Sequence, residues 1–158
     1  MSKKLNRAVL AACLAWACAV QALAADARVL LTREMLDEAE AYYLKKWNVP
    51  ILVDGGVSMP LATGEEVTHS SIQMLANYLK ETKQVPSLEN LEPLLEDKSD
   101  ACRYFCAACL LARIPDLPVY SPFFPPGSEP ERIAKVKAAI TKAKEKEKSK
   151  GVPRSGID

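Results

Sequence analysis

The sequence predicts a mainly α protein: a small bundle of three or four helices with a minor β-hairpin, a Pro-rich strap and a C-terminal basic helix. Three observations lead there. Glycine is scarce, 6 in 158 residues, while charged residues make up 26% of the chain, a balance that favours helices over a sheet sandwich. Apolar residues recur three and four positions apart through most of the chain. Six prolines then crowd into the 16 residues of "PDLPVYSPFFPPGSEP", a composition that favours extended chain.

Residues 1–24 read as an export signal. Lys3, Lys4 and Arg7 form a basic start, Ala8 to Val20 is an apolar run of 13, and Ala22-Leu23-Ala24 has the small-x-small pattern that a signal peptidase cuts. A run of 13 is too short to cross ~30 Å of hydrocarbon, which takes about 20 helical residues. Cleavage after Ala24 delivers a periplasmic or secreted chain, and the alanine-rich core has a bacterial look. Leu10-Ala11-Ala12-Cys13 also resembles a lipoprotein cleavage box, which makes a lipid anchor the alternative. No later stretch has the composition of a membrane span.

The remaining 134 residues suit one small domain over 25–127, with the strap at 115–127 and a basic helix and disordered tail over 128–158. Near-neutral overall charge hides a split. From Ala25 to Ser128 there are 9 basic and 15 acidic residues, and from Glu129 onward 9 basic and 5 acidic. An acidic body with a basic tail suits self-association, an acidic partner, an anionic envelope surface, or simply a solvated helix.

Helix one is expected from Thr32 to Trp47. Thr32 caps it, acidic residues crowd its start and Lys45-Lys46 its end, matching the helix dipole. Leu36, Ala39, Tyr43 and Trp47 form its apolar face, and Asn48-Val49-Pro50 stops it. "ILVDGGVSMPL" holds two short apolar runs about Asp54-Gly55-Gly56 and reads as the hairpin, with Pro60 keeping its second run at an edge. Thr63 and Glu66 have capping-box spacing, so helix two occupies part of 64–83 with Ile72, Leu75, Ala76 and Leu79 inward. His69 falls near its start, beside the buried stripe. Asn90 caps the next segment, whose stripe of Leu94, Leu95, Cys102, Phe105, Cys106, Cys109 and Leu110 is interrupted at Lys98. Either one helix bends there or Ser99-Asp100 caps a second. Ser128 and Glu131 make another capping box, followed by a narrow seam of Ile133, Val136, Ile140 and Ala143 fit for one partner helix.

Chemistry concentrates in Cys102, Cys106 and Cys109, spaced C-x₃-C-x₂-C in a chain with one histidine. On a helix the three fall on one side with Phe105 and Leu110, as small core residues would. An oxidising compartment pushes instead towards disulfides, and a pair inside a helix is strained and easily reduced. "CAAC" resembles the active pair of thioredoxin-like oxidoreductases, although no strand precedes Cys106. As metal ligands the three thiols suit Cu(I), helped by Met59 or Met74, or Zn with His69 or a carboxylate as fourth ligand.

No hydrolase triad is legible, and the exported basic tail lacks the interleaved aromatics of a nucleic-acid binder. The leading expectation is therefore a non-enzymatic periplasmic accessory protein whose partner is another envelope protein or itself. Its contacts are Tyr120, Phe123 and Phe124 on the strap and Ile133, Val136 and Ile140 on the seam. A thiol protein handling metal or redox through the cysteine cluster is the alternative, and an inhibitor or immunity-type binder of an envelope enzyme is the second.

Overall fold

The computed structural model describes residues 27–48 and 56–151, with backbone alone for the last two. The expected leader with Cys13, the first apolar run with Asp54-Gly55, and the end after Gly151 lie outside the described residues. The chain is mainly α, as its composition predicts, with one two-stranded antiparallel hairpin. A 3-10 turn at Ala27–Leu30 precedes helix α1 (Arg33–Trp47), strands β1 (Ser58–Pro60) and β2 (Glu66–Thr68), and helix α2 (His69–Glu81). The short helix α3 (Leu88–Leu91) passes into a 3-10 segment, Glu92–Glu96, before helices α4 (Asp100–Arg113) and α5 (Pro130–Gly151). Among the described residues no helix is long and apolar enough to cross a membrane.

Local signals account for most helix ends. Thr32 caps α1, its hydroxyl accepting from the Met35 amide at 3.3 Å, and Asn48 closes it in the left-handed conformation. Leu36, Ala39 and Tyr43 are buried as expected, but Trp47 stacks on Tyr43 at the helix end and stays 56% exposed. At 99–100 two helical segments meet, Ser99 accepting from the Cys102 amide to start α4.

Three boundaries differ from the sequence expectation. The hairpin lies one step later, because the second apolar run pairs forward with Glu66–Thr68 in the register Met59 opposite Val67. Its turn is closed by the Gly64 amide on the Leu61 carbonyl, with Gly64 at φ +85, a conformation that costs glycine little. Glu66 is consequently strand rather than capping box, and Thr68 caps α2 instead. Ser87, not Asn90, caps α3. At α5 the Ser128 hydroxyl donates back to the Pro125 carbonyl (2.6 Å), and Glu129 supplies the first helical carbonyl, to the Ile133 amide. Pro130 occupies the first helical position, where a missing N–H costs nothing.

Helix α2 packs between α1 and α4, and α4 also touches α3, the 3-10 segment and β1. Phe105, Leu110, Ile72, Leu75 and Leu79 meet Leu88, Leu91, Leu94 and Leu95 in one core. Helix α5 closes its far side. Val136 and Ile140 are fully buried, and each contributes about 1.5–3 kcal/mol by leaving water. Beside them Lys137 pairs with Glu96 (2.7 Å) and Lys144 with Glu92 (2.5 Å). The acidic body and basic tail thus meet within the chain.

The strap is fastened by a buried cation. Arg103, 3% exposed, donates to the Asp97 carbonyl (2.6 Å), the Pro122 carbonyl (3.0 Å) and the Asp100 carboxylate. Arg113 performs a similar service at the other end of α4, donating to the carbonyls of Val85 (2.7 Å) and Pro86 (2.5 Å) and to Glu147 (3.2 Å). Asp97 is itself held by Arg28 and accepts from the Ser99 amide (2.9 Å). Partial burial works against its charge, but those donors outweigh it and keep the carboxyl below its ordinary value of 3.8.

Arg103→Met leaves two carbonyls and a carboxylate without their donor, so about 2–4 kcal/mol of stability is expected to be lost in urea titration. Strap peptide bonds should then be cleaved first in limited proteolysis. A folded carboxyl held below its unfolded value stabilises above that pH and ceases to do so as the pH falls through it. Asp97→Asn should therefore be less stable than the parent at neutral pH, the difference shrinking as the pH falls below about 4.

Candidate functional site

Helix α4 turns all three cysteines into the core. Cys102 is 8% exposed and Cys106 and Cys109 are fully buried, each as a thiol rather than a disulfide. Where α3 tightens into the 3-10 segment, the Leu91 carbonyl accepts from the Cys106 thiol at 3.1 Å. Burial pushes Cys106 up to about 12, with a small opposing pull from the Tyr120 hydroxyl. Burial raises Cys109 further still. A thiolate is the form that attacks disulfides and binds metal, and these thiols hold their protons at any physiological pH. Among the described residues no group of three or more His, Cys, Asp or Glu side chains is arranged to hold a metal ion. Met59 is buried in β1, while Met74 faces a groove on the other side of α2.

The expected contact residues separate into two sets. Val136 and Ile140, with half-buried Ile133 beside them, cover the chain's own body. Tyr120 also packs inward. Its buried hydroxyl lies near Cys106 without a well-formed hydrogen bond, and burial raises its pKa far above that of a free phenol. Phe123 and Phe124 remain 42% and 49% exposed, alongside Val119 at 88%. The Phe123 ring lies 5.4 Å from that of Tyr104, so the exposed part of the strap adjoins the outer face of α2 and α4.

Along that face the described residues line a groove. Tyr43 and Trp47 wall one end, His69 and Tyr104 the other, and Gln73 and Asn77 lie between them on α2. A second, apolar cavity of 200 Å³ continues past Tyr104, between Leu111 on α4 and Pro118-Val119 of the strap, and shares Gln73 and Tyr104 with the first. At the Trp47 end Glu81 accepts from Tyr42 (2.9 Å), Tyr43 (3.2 Å) and Lys46 (2.5 Å). The Lys46 bond, then that of Tyr42, holds its carboxyl below the usual range, while burial and Glu81 push Tyr43 up to about 12.

The lone histidine is held from three sides. The Val57 amide donates to His69 Nδ1 (3.1 Å), the Tyr104 ring meets it edge-on at 5.8 Å, and Gly56 backs it closely. A Cβ at Gly56 would lie 2.0 Å from His69 Cε1, and φ there is +120, so only glycine fits. With Nδ1 accepting, the ring proton sits on Nε2. Periodicity places Trp47 in the core and leaves Gln73, Asn77 and Tyr104 unmarked. The i, i+4 spacing of His69, Gln73, Asn77 and Glu81 was the available signal, and in a sequence it is indistinguishable from any solvated helix face.

Comparison with protein-family models, curated proteins and solved structures gives no match.

If the cysteines are core residues, iodoacetamide at about pH 8 should leave Cys102, Cys106 and Cys109 unlabelled in the folded protein and label all three in denaturant. Labelling of the folded chain at the rate of free cysteine, read by intact mass, would restore the thiol reading.

Proposed function

We propose that this chain is an exported accessory protein of the bacterial envelope that acts by binding another polypeptide, with its leader cut after Ala24. One observation carries the reading. Val119, Phe123 and Phe124 stay exposed on a strap that Arg103 and the partly buried Tyr120 hold in place. Clustered exposed apolar side chains rimmed by polar ones mark interaction surfaces, and large aromatic side chains dominate interface energetics. The surface for this role is narrower than the periodicity suggests. It comprises the strap aromatics and the groove edge, while the seam of α5 is occupied at home. An inhibitor of an envelope enzyme would use the same surface, and the identity of the captured partner distinguishes the two.

Thiol chemistry at Cys102, Cys106 and Cys109 is less well supported, because burial keeps the sulfurs away from solvent and holds the proton on Cys106 and Cys109.

The test is photo-cross-linking in cells that export the protein, with a benzophenone side chain at Val119, at Phe123 or, as a control, at Lys142 on the outer side of α5. Discrete adducts from the first two positions and none from the third are expected, in a periplasmic fraction whose mature chain begins at Ala25. Absence of adducts at Val119 and Phe123, or equal adducts from all three sites, would overturn the proposal.

A further inference from the structure

A different surface, on α5, carries an inference that does not depend on the polypeptide-binding reading. We infer that Arg132, Lys135, Lys142 and Lys146 form a row that rests on the anionic headgroup surface of a phospholipid bilayer.

The first argument is geometry. At about 100° per residue the four cations fall within about 80° of one another around the helix, on a flank that Val136 and Ile140 leave exposed. Along the axis they extend over about 21 Å. A straight row of charge on a rod can meet a plane at every point at once, whereas a rounded partner reaches only part of it.

The second argument is charge that the fold leaves unengaged. On the opposite flank Lys137 and Lys144 are taken up by Glu96 and Glu92. Lys135, Lys142 and Lys146 are exposed and, among the described residues, have no ion-pair partner. Arg132 pairs with Glu129 at 2.7 Å, yet its side chain stays 56% exposed. Glu131 stands at the head of the row, and Glu145 is set about 60° to one side of Lys142. The row therefore keeps a positive excess, complementary to an anionic surface.

The third argument concerns what lies between the cations. Ala138 and Ala139 separate Lys135 from Lys142, and among the described side chains of α5 no aromatic or large aliphatic one is exposed. A protein interface draws most of its energy from large anchors seated in pockets, which this flank does not offer. A headgroup layer needs none, and each lysine close to it strengthens binding about fivefold. Val136 and Ile140 are buried against the body, so α5 has no apolar face to insert and lies on the bilayer rather than in it.

The experiment is co-sedimentation of the full mature chain with vesicles of phosphatidylcholine, either pure or carrying about one third phosphatidylglycerol. Binding to the anionic vesicles alone is expected, weakened at least about tenfold between about 50 mM and 500 mM salt. The triple variant Lys135→Gln, Lys142→Gln, Lys146→Gln should bind about 100-fold more weakly. A second triple variant, Lys45→Gln, Lys80→Gln, Lys98→Gln, removes the same charge from exposed sites off the row and should bind within about twofold of the parent. Glutamine has nearly the helix propensity of lysine, and circular dichroism checks that α5 persists in both.

Equal binding to both kinds of vesicle, or equal weakening by the two triple variants, would overturn the inference. Binding to soluble polyglutamate without binding to anionic vesicles would also overturn it, and would give the row to an acidic protein instead.

Discussion

Arg103 is the only charged side chain buried among the described residues, and its position dictates much of what surrounds it. A guanidinium withdrawn from water costs several kcal/mol unless its donors are met. Its partners come from three places that would otherwise be independent: the Asp97 carbonyl before α4, the Asp100 carboxylate in the first turn of α4, and the Pro122 carbonyl in the strap. Proline-rich chain has few amides with which to bond to the body, so carbonyls are the handles it offers. Without such a clamp the strap would have little besides Leu117 and Tyr120 to fix it. With it, Phe123 is held beside Tyr104 at the end of the groove.

Helix α4 is buried on nearly every side, and its sequence fits that position. Ala101, Cys102, Cys106, Ala107, Ala108 and Cys109 are small, so α2, α3 and the 3-10 segment can all approach it. Cysteine here behaves as a small hydrophobe with a weak donor, and Cys106 uses that donor on the Leu91 carbonyl released where α3 ends. Burial and reactivity oppose one another: the desolvation that makes these sulfurs good packing also holds the proton on Cys106 and Cys109.

The charge split resolves in a similar way. Lys137 and Lys144 on α5 meet Glu96 and Glu92 on the acidic body, and Arg113 meets Glu147 in the reverse sense. Such pairs are exposed or only partly buried and individually contribute only about 0.2–1 kcal/mol. Their consequence is orientation. They set the rotation of α5 over Val136 and Ile140, so the seam that suits a partner helix is covered by the chain itself.

Sequence alone determined the mainly α character, the cap at Thr32, the inward stripe of α2, the strap and the basic helix after it. These follow from forces acting over a few residues: apolar periodicity, side chains that satisfy the first amides of a helix, and a fixed φ at proline. Tertiary structure decided the rest. Ser58–Pro60 could pair backward or forward, and only packing of Met59 and Val67 into the core selects Glu66–Thr68. Trp47 has the periodicity of a core residue but ends at the rim of a groove, stacked on Tyr43 at the last turn of α1. The ionisation of the buried cysteines, the tautomer of His69 and the saturation of Glu81 each depend on neighbours 12 to 39 positions away. Burial and electrostatics act through space, and no local pattern records which distant surfaces meet.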